Sequence, residues 1–308
     1  MTDWPYVHAE SVGPGRRLLL KRKGPWLFEG EEQFPALGGI RQRVQIGEFE
    51  EFGRGLVIDG ATQLAEAIDA AYTTALVFPA ALLADARRRW VIIGGGDGAA
   101  AREALRFRDT ESVQLVDISR LVIDETQKLI PSFWAGCQHD QRLEICIRDA
   151  WEILRGMAAR GEQADVMIFD LTDPEDAAYT PFSASSADHL YTEDSFRLAT
   201  QCLAPNGVFV AQIQELSLLR FAHHRRHRET LKKMFRHVHS YRTYIEFFGY
   251  WQSFVIASNH DDPWSPAWVQ PLHDRLTQLY EGVWTEIYSA AWHEQLFSLP
   301  PSLVNRLG

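Results

Sequence analysis

The sequence predicts an α/β protein in which a doubly wound parallel sheet follows a small antiparallel β domain. Three observations carry that expectation. Short, fully apolar runs recur from residue 90 onward and alternate with stretches of helical periodicity. The first of these runs ends in Gly94-Gly95-Gly96-Asp97-Gly98, directly before a helical pattern. The residues before position 69 instead alternate apolar and polar side chains between glycines, as short half-exposed strands do.

Along the chain, residues 26–28, 43–48 and 56–59 read as strands, punctuated by Gly38, Gly39, Gly47, Gly53, Gly55 and Gly60. Helical spacing over 69–84 predicts a helix bent at Pro79. Residues 90–93 read as a buried parallel strand, followed by a helix at 99–107 and a strand at 113–116. The alternation continues with a helix at 121–130, a strand at 143–147, a helix at 150–159 and a strand at 166–169. A long loop, a helix at 193–203, a turn at Pro205-Asn206-Gly207 and a strand at 208–211 come next. Residues 238–244 and 253–257, joined by a short connection, predict an antiparallel hairpin at the sheet edge. The expected division is a β domain over 1–68 and a Rossmann-like domain with a helical tail over 69–308.

Composition narrows the function. A net charge of −10 disfavours nucleic acid and acidic substrates and favours small cations. Cys137, Cys146 and Cys202 lie far apart with no C-x-x-C pair, which suits reduced thiols in a cytoplasmic protein. Residues 1–5 lack a signal-peptide pattern, and the uncharged stretch near 70–84 is short and holds Pro79, so no membrane association is expected.

The glycine-rich loop between strand and helix lets backbone amides approach a ligand. Asp117 ends the second parallel strand, where an acid commonly receives ribose hydroxyls. Asp149 ends the third and is placed to accept from an adenine amino group. Asp170 and Asp173 follow the fourth. The alternative for each acid is a cap on the next turn or helix. All five acids, Asp97 included, are expected at the carboxyl edge of one sheet, where open α/β folds bind ligands. Asp97 would repel the α-carboxylate of S-adenosylmethionine and pair with the ammonium of the decarboxylated compound, unless its side chain points away.

The run V-I-I-G-G-G-D-G-A-A-A-R-E-A-L from Val91 to Leu105 resembles the signature of the spermidine and thermospermine synthases. Asp170-Leu171-Thr172-Asp173-Pro174 resembles that family's D-x-x-D-P segment, and Gly55 to Gly60 is similar to its N-terminal sheet. Tyr288, His293, Phe297, Leu299 and Pro300 fall in the register of its C-terminal segment. The resemblance implies a class I methyltransferase-like Rossmann fold, a homodimer or homotetramer, and an aminopropyltransferase of polyamine biosynthesis. It implies decarboxylated S-adenosylmethionine as co-substrate, a cationic amine acceptor, and no permanently bound cofactor or metal. It places Gln42, Gly94, Gly95, Gly96, Asp97, Asp117, Asp149 and Ala150 at the donor. Tyr72, Asp170, Asp173 and Phe247 would line the amine channel, with Phe247 or Phe248 standing for the family's tyrosine and Asp170 as catalytic acid–base residue.

The chain departs from the family at Thr73-Thr74, where Gln or His and then Glu is usual, and in the long segment after Asp173, read as a lid over 174–190. Two other function classes therefore stand beside aminopropyl transfer: a methyl- or other alkyltransferase using intact S-adenosylmethionine, and a non-catalytic nucleoside-binding homologue. Residues 223–228, H-H-R-R-H-R, read as a solvated basic helix face, and the late tryptophans as core or interface. Glu215 and Glu246 are candidates for either the amine channel or the surface.

Overall fold

The structure, a computed structural model, describes residues 6–12, 15–173, 187–260, 272–283 and 286–308. Strands β1 (Val7–Ser11) and β2 (Arg17–Lys21) pair antiparallel. Strands β3 (Phe28–Phe34), β4 (Ile40–Phe49), β5 (Gly53–Ile58) and β6 (Ala61–Ala65) form a four-stranded antiparallel meander. The sequence reading missed β1, β2 and β6 and stopped β3 at its first residue. The cause is visible in β3, whose side chains alternate between half-buried and exposed until buried Phe34, with Glu29, Glu31 and Glu32 obscuring the apolar signal.

Helix α1 (Asp69–Leu83) runs through Pro79 without ending. It leads into a seven-stranded sheet of β7 (Arg89–Gly94), β8 (Ser112–Asp117), β9 (Leu143–Ile147), β10 (Ala164–Asp170), β11 (Leu203–Glu215), β12 (His237–Ile245) and β13 (Tyr250–Ser258). The spatial order is β12-β13-β11-β10-β7-β8-β9, with β7 to β11 parallel and β13 antiparallel to both its neighbours. The turn expected at Pro205–Gly207 is absorbed into β11. Ala164 pairs with Leu203 but Val166 with Val208, so the extra residues sit in an irregularity of the ladder.

The helices are α2 (Ala99–Leu105), α3 (Arg120–Leu129), α4 (Pro131–Trp134), α5 (Ala150–Arg160), α6 (Glu193–Gln201), α7 (Ala222–Lys232), α8 (Leu272–Leu279), α9 (Ala290–Phe297) and α10 (Pro301–Leu307). The two-residue period of a strand divides the core. Ile92, Leu115, Ile168 and Val210 face a cluster that includes α1 and α2 and continues into Val44, Ile46 and Leu56 of the N-terminal meander. Val91, Ile93, Phe169 and Phe209 face a second cluster under α5 and α6. None of the helices among the described residues is long and apolar enough to cross a membrane.

The basic helix α7 corrects one expectation. His224 and His227 are 0% and 2% exposed, so this is not a solvated face throughout. His224 lies between the Ser253 and Ser240 hydroxyls at 2.7 and 2.8 Å, and burial holds its ring well below the usual histidine range, at about 3. Such a neutral imidazole is a structural hydrogen-bonding group. Trp264, Trp268 and Trp284 lie outside the described residues, as does most of the 174–190 segment. Trp292 packs against the core, as expected of it.

Candidate active site

From β7 the chain winds to β8 and β9 on one side, and from β10 to β11 on the other. The crevice between neighbouring strands β7 and β10 is therefore the switch point of the sheet, and their carboxyl ends are Gly94 and Asp170. An open cleft of about 990 Å³, counting the solvent at its mouth, lies there. Glycine is required at the floor. Gly94 has φ +80°, and a Cβ on it would lie 2.1 Å from the Asp170 carbonyl oxygen. A Cβ on Gly96 would lie 2.6 Å from Asp117 Oδ2.

Gln42, Tyr72, Gly94, Gly95, Gly96, Asp97, Asp117, Asp149, Ala150, Asp170 and Asp173 all line this cleft. Phe247 does not. It is fully buried against Phe49 and Phe52, and Phe248 and Tyr250 face the cleft instead. Thr73 and Thr74 also point elsewhere, each hydroxyl bonding one helical turn back, to Asp69 Oδ1 and the Ala70 carbonyl. Glu246 is exposed, and Glu215 is paired with Arg16 and Arg220.

At the carboxyl end of β8, Asp117 accepts from the Gly96 amide through Oδ2 at 2.9 Å and from the Ser119 amide through Oδ1 at 2.8 Å. Burial nevertheless pushes its carboxyl up to about 6. Asp149 caps α5 by accepting from the Trp151 amide at 3.0 Å. Asp97 accepts from the Ala99 amide at 2.8 Å. Its pKa is pushed well up, first by burial and then by the charge of Asp170. Asp170 is itself raised by burial, opposed by the Tyr72 hydroxyl, which donates to Oδ1 at 2.6 Å.

Asp173 accepts from Gln212 at 3.2 Å and from the Tyr250 hydroxyl at 3.3 Å, and burial pushes it up to about 6. Gln212 is fixed from several directions. Its amide also donates to the Leu171 carbonyl and the Tyr191 hydroxyl, while its oxygen accepts from Gln252 at 2.8 Å. Gln214 beside it adopts φ +42°, where β11 and β13 shift register. Glu10 of β1 approaches the same end, accepting from the Thr62 amide at 2.9 Å, and its charge adds to the rise at Asp173. Sequence reasoning missed Gln212, Tyr250, Gln252 and Glu10. Only Gln212 carried a signal, as the polar residue directly after the apolar run 208–211 of β11.

The raised carboxyls have a consequence for stability. A carboxyl whose folded pKa lies above its unfolded value stabilises the fold at low pH and loses that contribution as pH rises through the folded value. For Asp173 the window runs from about 4 to about 6. The ligand-free Asp173→Asn protein is expected to gain stability relative to wild type across that window, by on the order of 2 kcal/mol. Chemical denaturation at pH 4 and pH 7 measures the gain; an unchanged difference contradicts it.

Fold and cleft together define a class: a doubly wound α/β protein whose cleft at the switch point of the sheet is walled by carboxyl groups and suited to cationic ligands. A sequence model of the spermine/spermidine synthase domain matches residues 69–264. A polyamine aminopropyltransferase of Aeropyrum pernix is 35% identical over 247 residues, covering 80% of this chain and 73% of that protein. Polyamine aminopropyltransferase 1 of Aquifex aeolicus is 32% identical and covers 100% of this chain and 98% of its own. A crystal structure of spermidine synthase with the transition-state analogue AdoDATO superposes with a TM-score of 0.85 at 24% identity, over 100% of this chain and 96% of that one. The spermidine synthase of Thermotoga maritima gives 0.83 at the same identity and coverage. The chain belongs to the spermine/spermidine synthase family.

Proposed function

We propose that this enzyme transfers the aminopropyl group of decarboxylated S-adenosylmethionine to a diamine or polyamine and releases 5′-methylthioadenosine. The observation that carries this reading is the placement of Asp97 beside Asp170 across the β7–β10 crevice. A cationic donor tail and a cationic acceptor would meet there between carboxylates held in a buried wall. The glycine loop would hold the nucleoside, with Asp117 receiving the ribose hydroxyls, Asp149 the adenine amino group, and Gln42 and Ala150 flanking it. Asp97 would pair with the donor ammonium.

In this reading Asp173, Tyr250 and Glu10 hold the far ammonium of the acceptor, and Tyr72 orients Asp170. An alkylammonium has a pKa near ~10, so the attacking nitrogen must first lose a proton. Asp170 accepts it. The freed lone pair attacks the methylene carbon bonded to sulfur, the C–S electron pair returns to sulfur, and neutral 5′-methylthioadenosine departs. The positive charge of the sulfonium ends on the newly alkylated nitrogen. The wall supplies proximity and charge complementarity, and Asp170 moves the proton.

Residues 1–68 would contribute Glu10 and Thr62 at the acceptor end and Gln42 beside the nucleoside, and residues 69–308 would form the rest of the cleft. We propose a cytoplasmic homodimer or homotetramer, a location supported by three free cysteines. The test is incubation with decarboxylated S-adenosylmethionine and putrescine or spermidine, followed by mass spectrometry. Equimolar 5′-methylthioadenosine and an amine heavier by one aminopropyl unit are expected. Methyl transfer from intact S-adenosylmethionine, without aminopropyl products, would replace the reading.

A further inference from the structure

His189 lies just before α6 and lines the cleft beside Asp149. Its Nε2 is 2.9 Å from Asp149 Oδ1, the same oxygen that accepts from the Trp151 amide. Among the described residues no hydrogen bond reaches Oδ2. Asp149 is one of the carboxylates lining the cleft, with 13% of its side chain exposed. One oxygen is thus occupied twice and the other is left for a ligand. Burial pushes the Asp149 carboxyl up, but the bonds from His189 and Trp151 outweigh it and keep the group below the usual carboxylate range. The helix N-terminus that Asp149 caps favours the same ionised form.

A carboxylate fixed in this way is an acceptor only. It suits the amino group at position 6 of adenine and opposes the carbonyl oxygen that hypoxanthine carries there. A carboxylate free to rotate, or to take up a proton, would tolerate both. We propose that His189 is a positioning residue that makes the site selective for 6-aminopurine nucleosides, acting through Asp149. The inference rests on the nucleoside reading of the cleft given above. Neither composition nor motif spacing pointed to His189, because it follows the family-like segment by a long connection and meets Asp149 only in three dimensions.

The role is separable from a structural one. His189 has one third of its side chain exposed and contributes no large apolar surface, so its replacement leaves the sheet and both cores intact. Calorimetry on the full chain would compare 5′-methylthioadenosine with 5′-methylthioinosine in wild type, His189→Ala and His189→Gln. The wild type is expected to prefer the adenosine compound by about 10²-fold or more, the scale set by leaving buried polar groups mismatched. His189→Ala is expected to lower that ratio at least about tenfold, and His189→Gln, which keeps a donor at similar reach, to hold it within about threefold of wild type. An unchanged ratio in His189→Ala, or equal weakening of both nucleosides, would overturn the inference and leave the donor reading standing. A wild type that binds neither compound would instead remove the nucleoside reading itself, and this inference with it.

Discussion

Asp170→Asn is expected to bind donor within about threefold of wild type and to turn over at least about 10²-fold more slowly, the usual scale for a positioned acid–base group. The substitution is nearly isosteric, and an amide oxygen can still accept from the Tyr72 hydroxyl that now lies 2.6 Å from Oδ1. The groups proposed to hold the nucleoside, Gly96, Asp117 and Asp149, keep their own hydrogen bonds to Asp117 Oδ2 and the Trp151 amide, which the change does not touch. What disappears is the capacity to take a proton from an ammonium. Because burial raises the Asp170 carboxyl, wild-type transfer should climb with pH through a range above that of an ordinary carboxylate, and the variant should lose that limb. Single-turnover transfer across pH 5 to 8 measures both effects. Near-normal transfer by the variant would give Asp170 a structural role and assign proton removal to water.

The second large effect concerns Asp97. Burial, and then the charge of Asp170, raise the proton affinity of Asp97. A bound ammonium would lower it again. Binding of decarboxylated S-adenosylmethionine at pH 7 is therefore expected to release protons, read as a dependence of calorimetric heat on buffer ionisation enthalpy. Asp97→Asn should abolish most of the release and weaken this donor by about 10²-fold, as expected for truncating one partner of a buried charge pair. The same variant should bind intact S-adenosylmethionine as well as wild type or better, since a carboxylate no longer faces a carboxylate. Equal factors for both donors would remove Asp97 from donor selection.

Much of the sheet and of the cleft lining at the ends of β7, β8 and β9 was legible because each depends on short-range patterns. The run Val91–Ile93 is short, apolar on both faces and ends in glycines, which points to an interior strand, and the acids at strand ends follow from the alternation of strands and helices. The surroundings of Asp173 were less legible because they are assembled from distant segments. Tyr250 comes from the start of β13, Gln212 from the end of β11 and Glu10 from a strand whose polar alternation gave no signal. Phe247 and Phe248 are neighbours in sequence, and only the course of the turn between β12 and β13 decides which ring turns inward. The histidines of α7 were misjudged for a related reason. A helix face rich in His and Arg reads as solvated, yet Ser240 and Ser253 from neighbouring strands provide the partners that let His224 be buried.

The central claim is that the cleft is built for a donor whose tail ends in an ammonium without a carboxylate. Its most direct test is calorimetric titration of the wild-type protein at one pH and salt concentration with decarboxylated and with intact S-adenosylmethionine. The site predicts that the decarboxylated donor binds at least about tenfold more tightly, since Asp97 attracts the ammonium that ends its tail and repels the extra carboxylate of the other. Equal or tighter binding of intact S-adenosylmethionine would contradict the claim and move this cleft into the methyl- or alkyltransferase class.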